Sequence, residues 1–322
     1  MRAALSALAF LALAAAPAAG APTLSLPVDC ELGKTCYIQQ YMDHDPGAGH
    51  SDFMCGPRSY DAHKGTDFAV PTAAAARENA VRVIAAAAGT VMGVRDEMAD
   101  AWDGKIDAAA IKGRDCGNGI VIDHGDGWQT QYCHLRQGSV RVKRGERVAS
   151  GAHLGDMGMS GRTEFAHMHL SVRKDGEPVD PFAPDGPECG DAPLKTMWDT
   201  APLFQEAGLL DLGFATQVPE FTDVKMGLAD QNLSRTSPAI ITFSYFFGGL
   251  AGDSVDMKLT GPGNFEVSQS YELPKNLAIF FRAIGKKRRS APWPGGDYVA
   301  ETTLTRNGKI IAEQRGSFTI PR

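Results

Sequence analysis

Short stretches of alternating hydrophobic and polar residues, separated by turn residues, run through the first half of the chain. Residues 120–124 and 128–135 alternate in this way and flank the tripeptide GDG at 125–127, whose residues tolerate the positive φ of a tight turn. Residues 140–148 show the same pattern around the tripeptide KRG. The alternation predicts antiparallel hairpins in both places, because side chains on a strand point to opposite faces with a period of two.

A second set of strand-like runs follows near the end of the chain. Residues 240–246 and 278–281 are rich in β-branched and aromatic residues. Asn307 and Gly308 separate two further runs and form a strong signal for a two-residue hairpin turn. Several short strands within about 100 residues predict an immunoglobulin-like β-sandwich over 219–322.

Chemically reactive residues are confined to the first region. All eight histidines fall between His44 and His169, the last cysteine is Cys189, and a proline-rich stretch at 181–187 then marks a domain edge. We expect any reaction to belong to this first region. The predicted organisation is a signal peptide at 1–20, an N-terminal extension with a small cysteine loop at 21–49, a reactive domain at 50–190, a connector at 191–218 and the sandwich at 219–322. Residues 95–115 are weakly patterned and predict an insertion, either a short helix or a lid.

The first twenty residues have the features of an export signal. Arg2 precedes an apolar stretch at 3–16, and small residues at 17–21 offer a cleavage site. A membrane anchor is disfavoured because the stretch is short and no stop-transfer charges follow. A lipoprotein is also disfavoured, because small residues are missing before Cys30. We therefore expect a periplasmic or secreted protein with no membrane span after signal cleavage.

Composition excludes some classes of protein. Of the 322 residues 43% are hydrophobic and 22% are charged, which is typical of a folded globular protein and not of a disordered chain. The formal net charge of −6 argues against a general nucleic-acid binder, which usually presents a basic face.

The cysteines suggest a disulfide framework. An even number, six, lies beyond the signal, and an oxidising compartment favours disulfides over free thiols. Fifteen pairings are possible; we favour Cys30–Cys36 as a local loop, Cys116–Cys133 across the first hairpin and Cys55–Cys189 between the ends of the reactive domain. The Cys116–Cys133 pairing needs a bulge or a curled strand start, because the two are about three residues out of register. Cysteine as a metal ligand is disfavoured because no C-x-x-C spacing occurs.

Two histidines near position 168 can act together. If residues 166–173 form a strand, His167 and His169 share one face, and Met168 and Leu170 share the other. Two imidazoles on one face can converge on an ion or on a water molecule. A solvated strand face would also tolerate them.

A second element is the motif HKGTD at 63–67. His63 and Asp67 would lie roughly 13 Å apart on a straight strand, too far to bind one ion, so we expect the chain to bend at Gly65. A helix would also bring the two together, but Gly65, the β-branched Thr66 and Pro71 disfavour it. His134, in the run YCHL at 132–135, is the third element. Taken alone, it is best interpreted as a packed strand histidine.

In this order the motifs HKGTD, YCHL and HMH (167–169) resemble the signature of the lysostaphin/LytM-type zinc metalloendopeptidases. The segments GNGIVIDHG at 117–125 and GDMGMSG at 155–161 are similar to strands and glycine turns of that family. The resemblance covers about residues 50–185. The chain departs from the family in the insertion near 95–115, in its cysteines and at 164–166, where the family often has Gly-Pro.

The resemblance implies a LytM-like β-sheet metallopeptidase domain at 50–190 within an all-β, mainly antiparallel chain. It implies that His63, Asp67 and His169 bind Zn2+ and that His134 and His167 form the catalytic pair. Two imidazoles and a carboxylate suit zinc and leave a position for the water that the metal activates. One histidine would then act as general base and the other would stabilise the oxyanion, with the assignment left open.

The expected function is that of a secreted zinc metalloendopeptidase that hydrolyses peptide crosslinks of bacterial peptidoglycan, with its peptide stems as substrate. One alternative is a non-catalytic cell-wall-binding or amidase-activating module with the same fold. A D-Ala–D-Ala zinc carboxypeptidase is less consistent, because such enzymes have a Glu three residues before the ligand histidine and none stands at that position before His169. The second domain is expected to position substrate or to dock on a periplasmic protein partner. The basic run at 286–289 predicts either a solvated loop or a contact with an anionic wall polymer.

Overall fold

The computed structural model describes residues 20–187, 189, 195–289 and 291–322 of the chain. The predicted signal peptide at 1–20, apart from Gly20, lies outside these residues, as does the part of the predicted connector at 191–194. Within the described ranges, no helix combines the length and the hydropathy needed to cross a bilayer.

Antiparallel strands are the main regular elements among the described residues. The strands of the first region are β1 (Tyr37–Gln40), β2 (Thr66–Ala69), β3 (Arg82–Ile84), β4 (Gly89–Arg95), β5 (Asn118–Gly125), β6 (Trp128–Leu135), β7 (Arg147–Val148), β8 (His153–Asp156), β9 (His167–Lys174) and β10 (Glu177–Val179). Those of the second region are β11 (Gly208–Ala215), β12 (Ala239–Gly249), β13 (Ser254–Gly261), β14 (Phe265–Glu272), β15 (Leu277–Lys287), β16 (Gly296–Arg306) and β17 (Lys309–Ile320). The helices are α1 (Ala73–Asn79), α2 (Ala108–Ile111) and α3 (Phe221–Met226). The predicted all-β fold is confirmed.

The first region is built on one eight-stranded sheet. Seven of its strands lie in the order β1-β2-β9-β6-β5-β4-β7, β10 pairs with β9, and β3 and β8 form a separate ribbon. Phe68, Tyr132 and Leu170 point into the core below this sheet and are fully buried. On the opposite face lie Asp67 of β2 and His167, His169 and Ser171 of β9, so the sheet presents polar groups above an apolar core.

The hairpin predicted at 125–127 is confirmed. Asp126 and Gly127 both have positive φ, 48° and 78°, as a two-residue turn between twisted strands requires. The predicted Cys116–Cys133 disulfide is also present. The register of β5 and β6 shifts between Asn118 and Ile120, and His134 adopts a φ of 62° at this bulge. The expected bulge is therefore present, and it changes the direction of the chain at His134, which follows Cys133.

The hairpin predicted at 140–148 is wrong. Residues 140–142 form no strand, and β7 pairs instead with Gly89 and Thr90 of β4. The backbone N–H of Arg141 donates to the carbonyl of Leu154. The alternating sequence correctly predicted a strand at Arg147–Val148 but not its partner, because this strand pairs with the edge of β4 and not with residues 140–142.

The N-terminal extension is part of the first sheet and is not an appendage. Leu24 is fully buried in the core, and β1 pairs with β2. The favoured Cys30–Cys36 loop is present, and the Cys55–Cys189 disulfide links the beginning and the end of the first region. The extension therefore supports the strand that carries Asp67.

The second region is a seven-stranded antiparallel sandwich. Its two sheets have the orders β11-β12-β15 and β14-β13-β16-β17, and the Ser244 and Thr302 hydroxyls meet between them at 2.8 Å. The turn at Asn307 and Gly308, with φ values of 48° and 76°, confirms the predicted hairpin. The immunoglobulin-like assignment of this sandwich stays a prediction.

Strand β11 corrects the predicted connector at 191–218, since residues 208–215 pair with β12. Its alternation is obscured by two glycines, Gly208 and Gly213, over which the rings of Phe247 and Phe243 pack. Those glycines made the segment look unpatterned, although the rings can pack here only because no side chain is present.

The two regions meet around a buried arginine. Arg58 is 4% exposed, and its guanidinium donates to the carbonyls of Ile38 and Gln39 in β1 and to those of Gln205 and Glu206 before β11. The guanidinium also lies 4.8 Å from the ring centroid of Phe247 on β12. A single side chain thus ties the edge of the first sheet to the entry of the second region.

Candidate metal and catalytic centre

The polar face of the first sheet gathers the histidines of the motifs. Strands β2 and β9 pair so that Asp67 lies opposite His169 and Ala69 opposite His167. Residues directly opposite in an antiparallel pair share a face, so Asp67, His167 and His169 all project to the same side. The neighbouring strand β6 delivers His134 from its bulge, next to Cys133, which pairs with His169.

Three of these groups converge closely. The Nδ1 of His169 lies 2.8 Å from Oδ1 of Asp67 and 3.1 Å from Nε2 of His63, and Nε2 of His63 lies 3.2 Å from Oδ1 of Asp67. His63 precedes β2 and reaches back over it, as the expected bend required. A Cβ on Gly65 would lie 2.3 Å from the Leu170 carbonyl oxygen and 2.6 Å from Nε2 of His169. The bend therefore depends on a residue without a side chain.

The donor set fits a zinc ion. The Nδ1 of His63 lies 2.6 Å from the Tyr41 carbonyl oxygen, to which it donates, so the lone pair on Nε2 faces Asp67 and His169. The other ring nitrogen of His169 contacts the hydroxyl of Ser171 at 2.9 Å. Ligands held about 2.0–2.1 Å from a tetrahedral zinc would be roughly 3.3–3.4 Å apart. The observed spacings of 2.8, 3.1 and 3.2 Å are about 0.1–0.6 Å shorter, so a bound ion would require a small outward shift of the three groups. That these residues bind zinc stays a prediction, which the geometry fits.

His134 and His167 form a second pair beside the three. Their ring centroids are 4.5 Å apart, and the residues are 7% and 5% exposed. The Nδ1 of His134 donates to the carbonyl of Ser160 at 2.8 Å, and the Nδ1 of His167 lies 3.0 Å from the carbonyl of Phe165. Each ring therefore keeps Nε2 for other partners, and Nε2 of His167 lies 3.5 Å from Oδ1 of Asp67.

The electrostatics of the centre distinguish its members. Burial raises the pKa of the Asp67 carboxyl, but the charges of His63 and His167 and the hydrogen bond from His169 outweigh it and hold that pKa well below its ordinary value. Burial likewise opposes protonation of His63, yet the Asp67 carboxylate raises the pKa of that imidazole. Burial, reinforced by the neighbouring His167 and His169, holds the pKa of His134 well below its ordinary value. Burial also lowers the pKa of His167. Protein groups alone thus favour an ionised Asp67 and a neutral His134.

Two aromatic residues at the centre were not singled out in the sequence. The ring of Tyr60, 48% exposed, stacks on His63 with centroids 4.3 Å apart. The ring of Phe165 stacks on His167 at 4.4 Å. Both lie within three residues of a motif histidine, and Phe165 lies where the chain departs from the family pattern. That departure was the one signal in the sequence that could have pointed to it.

The remaining predicted features lie outside the centre. His124 hydrogen-bonds the Ala88 carbonyl and the hydroxyl of Thr130, beside the turn at Asp126 and Gly127. Residues 95–115 contain the short helix α2, and the Asp100 carboxylate accepts hydrogen bonds from the backbone N–H groups of Gln137 and Met159. The insertion is thereby anchored to the glycine turn before the histidine pair. Its role as a lid stays a prediction.

Known proteins resemble the part of the chain that holds this centre. A family model described as Peptidase family M23 matches residues 61–181. The peptidoglycan DD-endopeptidase ShyA of Vibrio cholerae is 35% identical over 81 residues, which cover 25% of this chain and 18% of that protein. ShyB, a peptidoglycan DD-endopeptidase of the same organism, is 31% identical over 125 residues, which cover 39% of this chain and 24% of that protein. The matched segments thus span less than a quarter of either relative.

Among solved structures, a zinc-containing peptidase from Vibrio cholerae aligns with 26% identity and a TM-score of 0.32. The alignment covers 48% of this chain and 37% of that one.

Proposed function

We propose that this chain is a zinc-dependent endopeptidase that hydrolyses peptide crosslinks of bacterial peptidoglycan; the match of a Peptidase family M23 model to residues 61–181 supports this. The observation that carries the proposal is the convergence of His63, Asp67 and His169 beside the pair His134 and His167. The relatives named as peptidoglycan DD-endopeptidases support the substrate class. Action on the wall agrees with the export signal expected at 1–20, so we place the protein in the periplasm or outside the cell.

The two remaining histidines would carry the proton transfers. His63, Asp67 and His169 would hold the zinc ion, which would supply Lewis acidity toward the scissile carbonyl and make a water molecule more acidic. The low pKa of His134 keeps its ring neutral, and its Nδ1–H is fixed on the Ser160 carbonyl, so Nε2 carries a lone pair that can accept a proton. When protonated at Nε2, either histidine can hydrogen-bond the negative charge that develops on the carbonyl oxygen or protonate the leaving amine. The geometry leaves open which of the two takes each role.

The direct test is digestion of purified peptidoglycan. We expect the purified mature protein to release fragments whose masses correspond to cleaved crosslinks, and a chelator to stop this release until zinc is restored. Cleavage of a linear pentapeptide but not of a crosslinked muropeptide would indicate a carboxypeptidase instead. Metal-free protein that binds wall fragments and releases nothing would support the non-catalytic module.

Substitutions separate the ligands from the catalytic pair. We expect His169→Ala to purify without stoichiometric zinc, because one of three ligands is lost, and to be inactive. His134→Ala should retain zinc, measured by atomic emission, yet lose turnover by roughly 10²-fold or more, because it removes a proton acceptor and no ligand. His124→Ala, outside the centre, is the matched control and should keep both zinc and turnover. Full turnover by His134→Ala would contradict the assigned roles.

A further inference from the structure

Four consecutive cationic residues line a cleft of the second region at the end of strand β15. Lys286 and Lys287 end strand β15, and Arg288 and Arg289 follow them. These residues line a cleft of about 770 Å³ together with the turn at 262–265 and residues 291–294. Ile279 of β15 packs against the same apolar cluster as Phe165 beside the candidate centre, and Lys286 lies seven residues, or roughly 23 Å, further along the strand.

The positive charge in this cleft is not neutralised within the protein. Among the described residues, none of the four cationic side chains forms an ion pair with a carboxylate, although many other Lys and Arg residues do. Residues 219–322 contain 13 Lys and Arg against 10 Asp and Glu, whereas the whole chain contains 32 against 38. Four uncompensated charges of one sign in a concave site focus the field and attract anions.

The floor of the cleft is apolar and rigid. Trp293 and Phe265 are each 9% exposed, and the indole N–H of Trp293 donates to the Ser237 carbonyl at 2.8 Å. Lys286 lies 5.2 Å from the ring centroid of Phe265, which holds its ammonium group at the rim. A cationic rim above aromatic rings suits a ligand with both flat apolar faces and negative charges, as in a sugar that carries a carboxylate or phosphate.

The shape of the cleft distinguishes a polymer chain from a membrane. Proteins that lie on membranes insert protruding apolar side chains. The large hydrophobic residues that are exposed among the described residues, such as Leu203, Val218 and Ile310, all lie elsewhere. The volume is that of a pocket for a ligand of several rings and exceeds the need of a single phosphate.

From these observations we infer that the cleft formed by Lys286, Lys287, Arg288 and Arg289 over Trp293 binds an anionic polysaccharide. The site is separate from the candidate metal centre and does not depend on the proposed peptidase activity. Its effect would be to hold the protein on a charged glycan while the first region acts independently.

The test uses the full chain and labelled alginate oligosaccharides, whose sugars carry carboxylates, with binding followed by fluorescence anisotropy. The double variant Lys287→Glu/Arg289→Glu reverses two exposed cations of the rim. We expect it to bind alginate at least about tenfold more weakly than the unaltered chain, because the local field changes sign. Unlabelled dextran, a neutral glucan, should not compete.

The matched control is Lys275→Glu/Lys309→Glu, which makes the same change in net charge at two exposed lysines elsewhere on the sandwich. It should bind within about twofold of the unaltered chain, since distant surface charges are screened. Equal weakening in both double variants would contradict the inference, because overall charge would then explain the binding. Equally tight binding to a single-stranded oligonucleotide, or tighter binding to phosphatidylglycerol vesicles, would also overturn it. Unfolding midpoints and zinc content check that the variants are intact.

Discussion

Gly65 is the residue on which the geometry of the candidate centre most depends. Its missing side chain allows His169 and the Leu170 carbonyl to approach the backbone that joins His63 to Asp67. We predict that Gly65→Ala lowers zinc affinity at least about tenfold and costs about 2 kcal/mol or more in unfolding free energy, because a contact at 2.3 Å forces the two strands apart. Competition with a fluorescent zinc chelator and urea unfolding measure the two effects.

Gly93 supplies the matched control for that substitution. It also lies on a strand of the first sheet, yet a Cβ there would meet nothing within 4 Å. Gly93→Ala should therefore leave zinc affinity unchanged. If the two alanine variants bound zinc equally well, the close approach at Gly65 would have no consequence for the centre.

The low pKa of His134 leads to a prediction about how the unfolding free energy depends on pH. Its pKa is low in the folded protein and about 6.5 in the unfolded chain, so below about pH 6.5 the unfolded state binds a proton that the folded state does not. This residue therefore reduces stability as pH falls, by at most about 1.4 kcal/mol per pH unit. His134→Asn lacks this titrating group. Relative to the unaltered chain, the unfolding free energy of the variant should therefore rise as the pH falls from about 7.5 to about 5.5.

Urea unfolding in the presence of a chelator measures this difference without the contribution of bound metal. The variant His50→Asn, at an exposed loop position, shows how much of the change comes from removing any imidazole. A stability difference between His134→Asn and the unaltered chain that stays constant across this pH range would contradict the buried, neutral state of His134.

The sequence identified the candidate ligand and catalytic residues better than the groups that hold them in position. The spacing of His63 and Asp67 and the alternation of His167 and His169 indicated their shared face, since both are local properties. The contacts that orient the rings could not be predicted, because the Tyr41 and Ser160 carbonyls come from distant segments. The stacking of Tyr60 on His63 depends in the same way on the tertiary fold.

At the scale of elements, the bulge on β6 places His134, one of the proposed catalytic pair, directly beside the Cys116–Cys133 disulfide. Cys133 bonds to Cys116, and the backbone N–H of His134 donates to the carbonyl of Cys116 at 2.8 Å. We predict that Cys116→Ser/Cys133→Ser costs about 3 kcal/mol in unfolding free energy, as loop closure over 17 residues suggests. Turnover should fall as well, because His134 is no longer held at the bulge.

Removal of the Cys30–Cys36 bond is the control for that experiment. Its loop spans only 6 residues and lies away from the histidines, so Cys30→Ser/Cys36→Ser should cost about 2 kcal/mol and leave turnover unchanged. Equal losses of turnover in the two double variants would show that the bulge does not depend on its disulfide.

Elements defined by local turn chemistry were predicted well, and those defined by a distant partner were not. The turns at Asp126–Gly127 and Asn307–Gly308 need positive φ, which their residues supply. Strand β7 was assigned to the wrong partner because the residues of β4 with which it pairs lie 57 and 59 positions earlier in the sequence. Strand β11 was missed because its glycines are explained only by the rings of β12.

At the scale of the whole molecule, the second region reaches the candidate centre through an apolar cluster. Phe247 of β12 packs on Tyr37 of β1 with ring centroids 4.6 Å apart, and Phe165 packs against the same cluster while it stacks on His167. We predict that Phe247→Ala lowers kcat/KM on peptidoglycan fragments by roughly fivefold to tenfold, since a small displacement of a catalytic group is costly. Zinc content should be unchanged.

A matched truncation within the second region tests whether this effect is specific. Phe318 packs on Phe214 and Tyr298, within the sandwich alone. Phe318→Ala should lower the unfolding temperature, because it removes a partly buried aromatic side chain from the sandwich, yet leave kcat/KM within about twofold. Similar losses of kcat/KM in both variants would mean that general destabilisation, and not support of His167, explains the result.

Arg58 also affects whether another chain can pair with the edge strand β1. Strand β1 ends the large sheet, and a sheet edge that is left uncovered is a template on which another copy can add a strand. All four residues of β1 are buried. The guanidinium already occupies the carbonyls of Ile38 and Gln39 on that strand. The same contact that joins the two regions therefore denies incoming chains their acceptors and protects the protein from edge-to-edge aggregation.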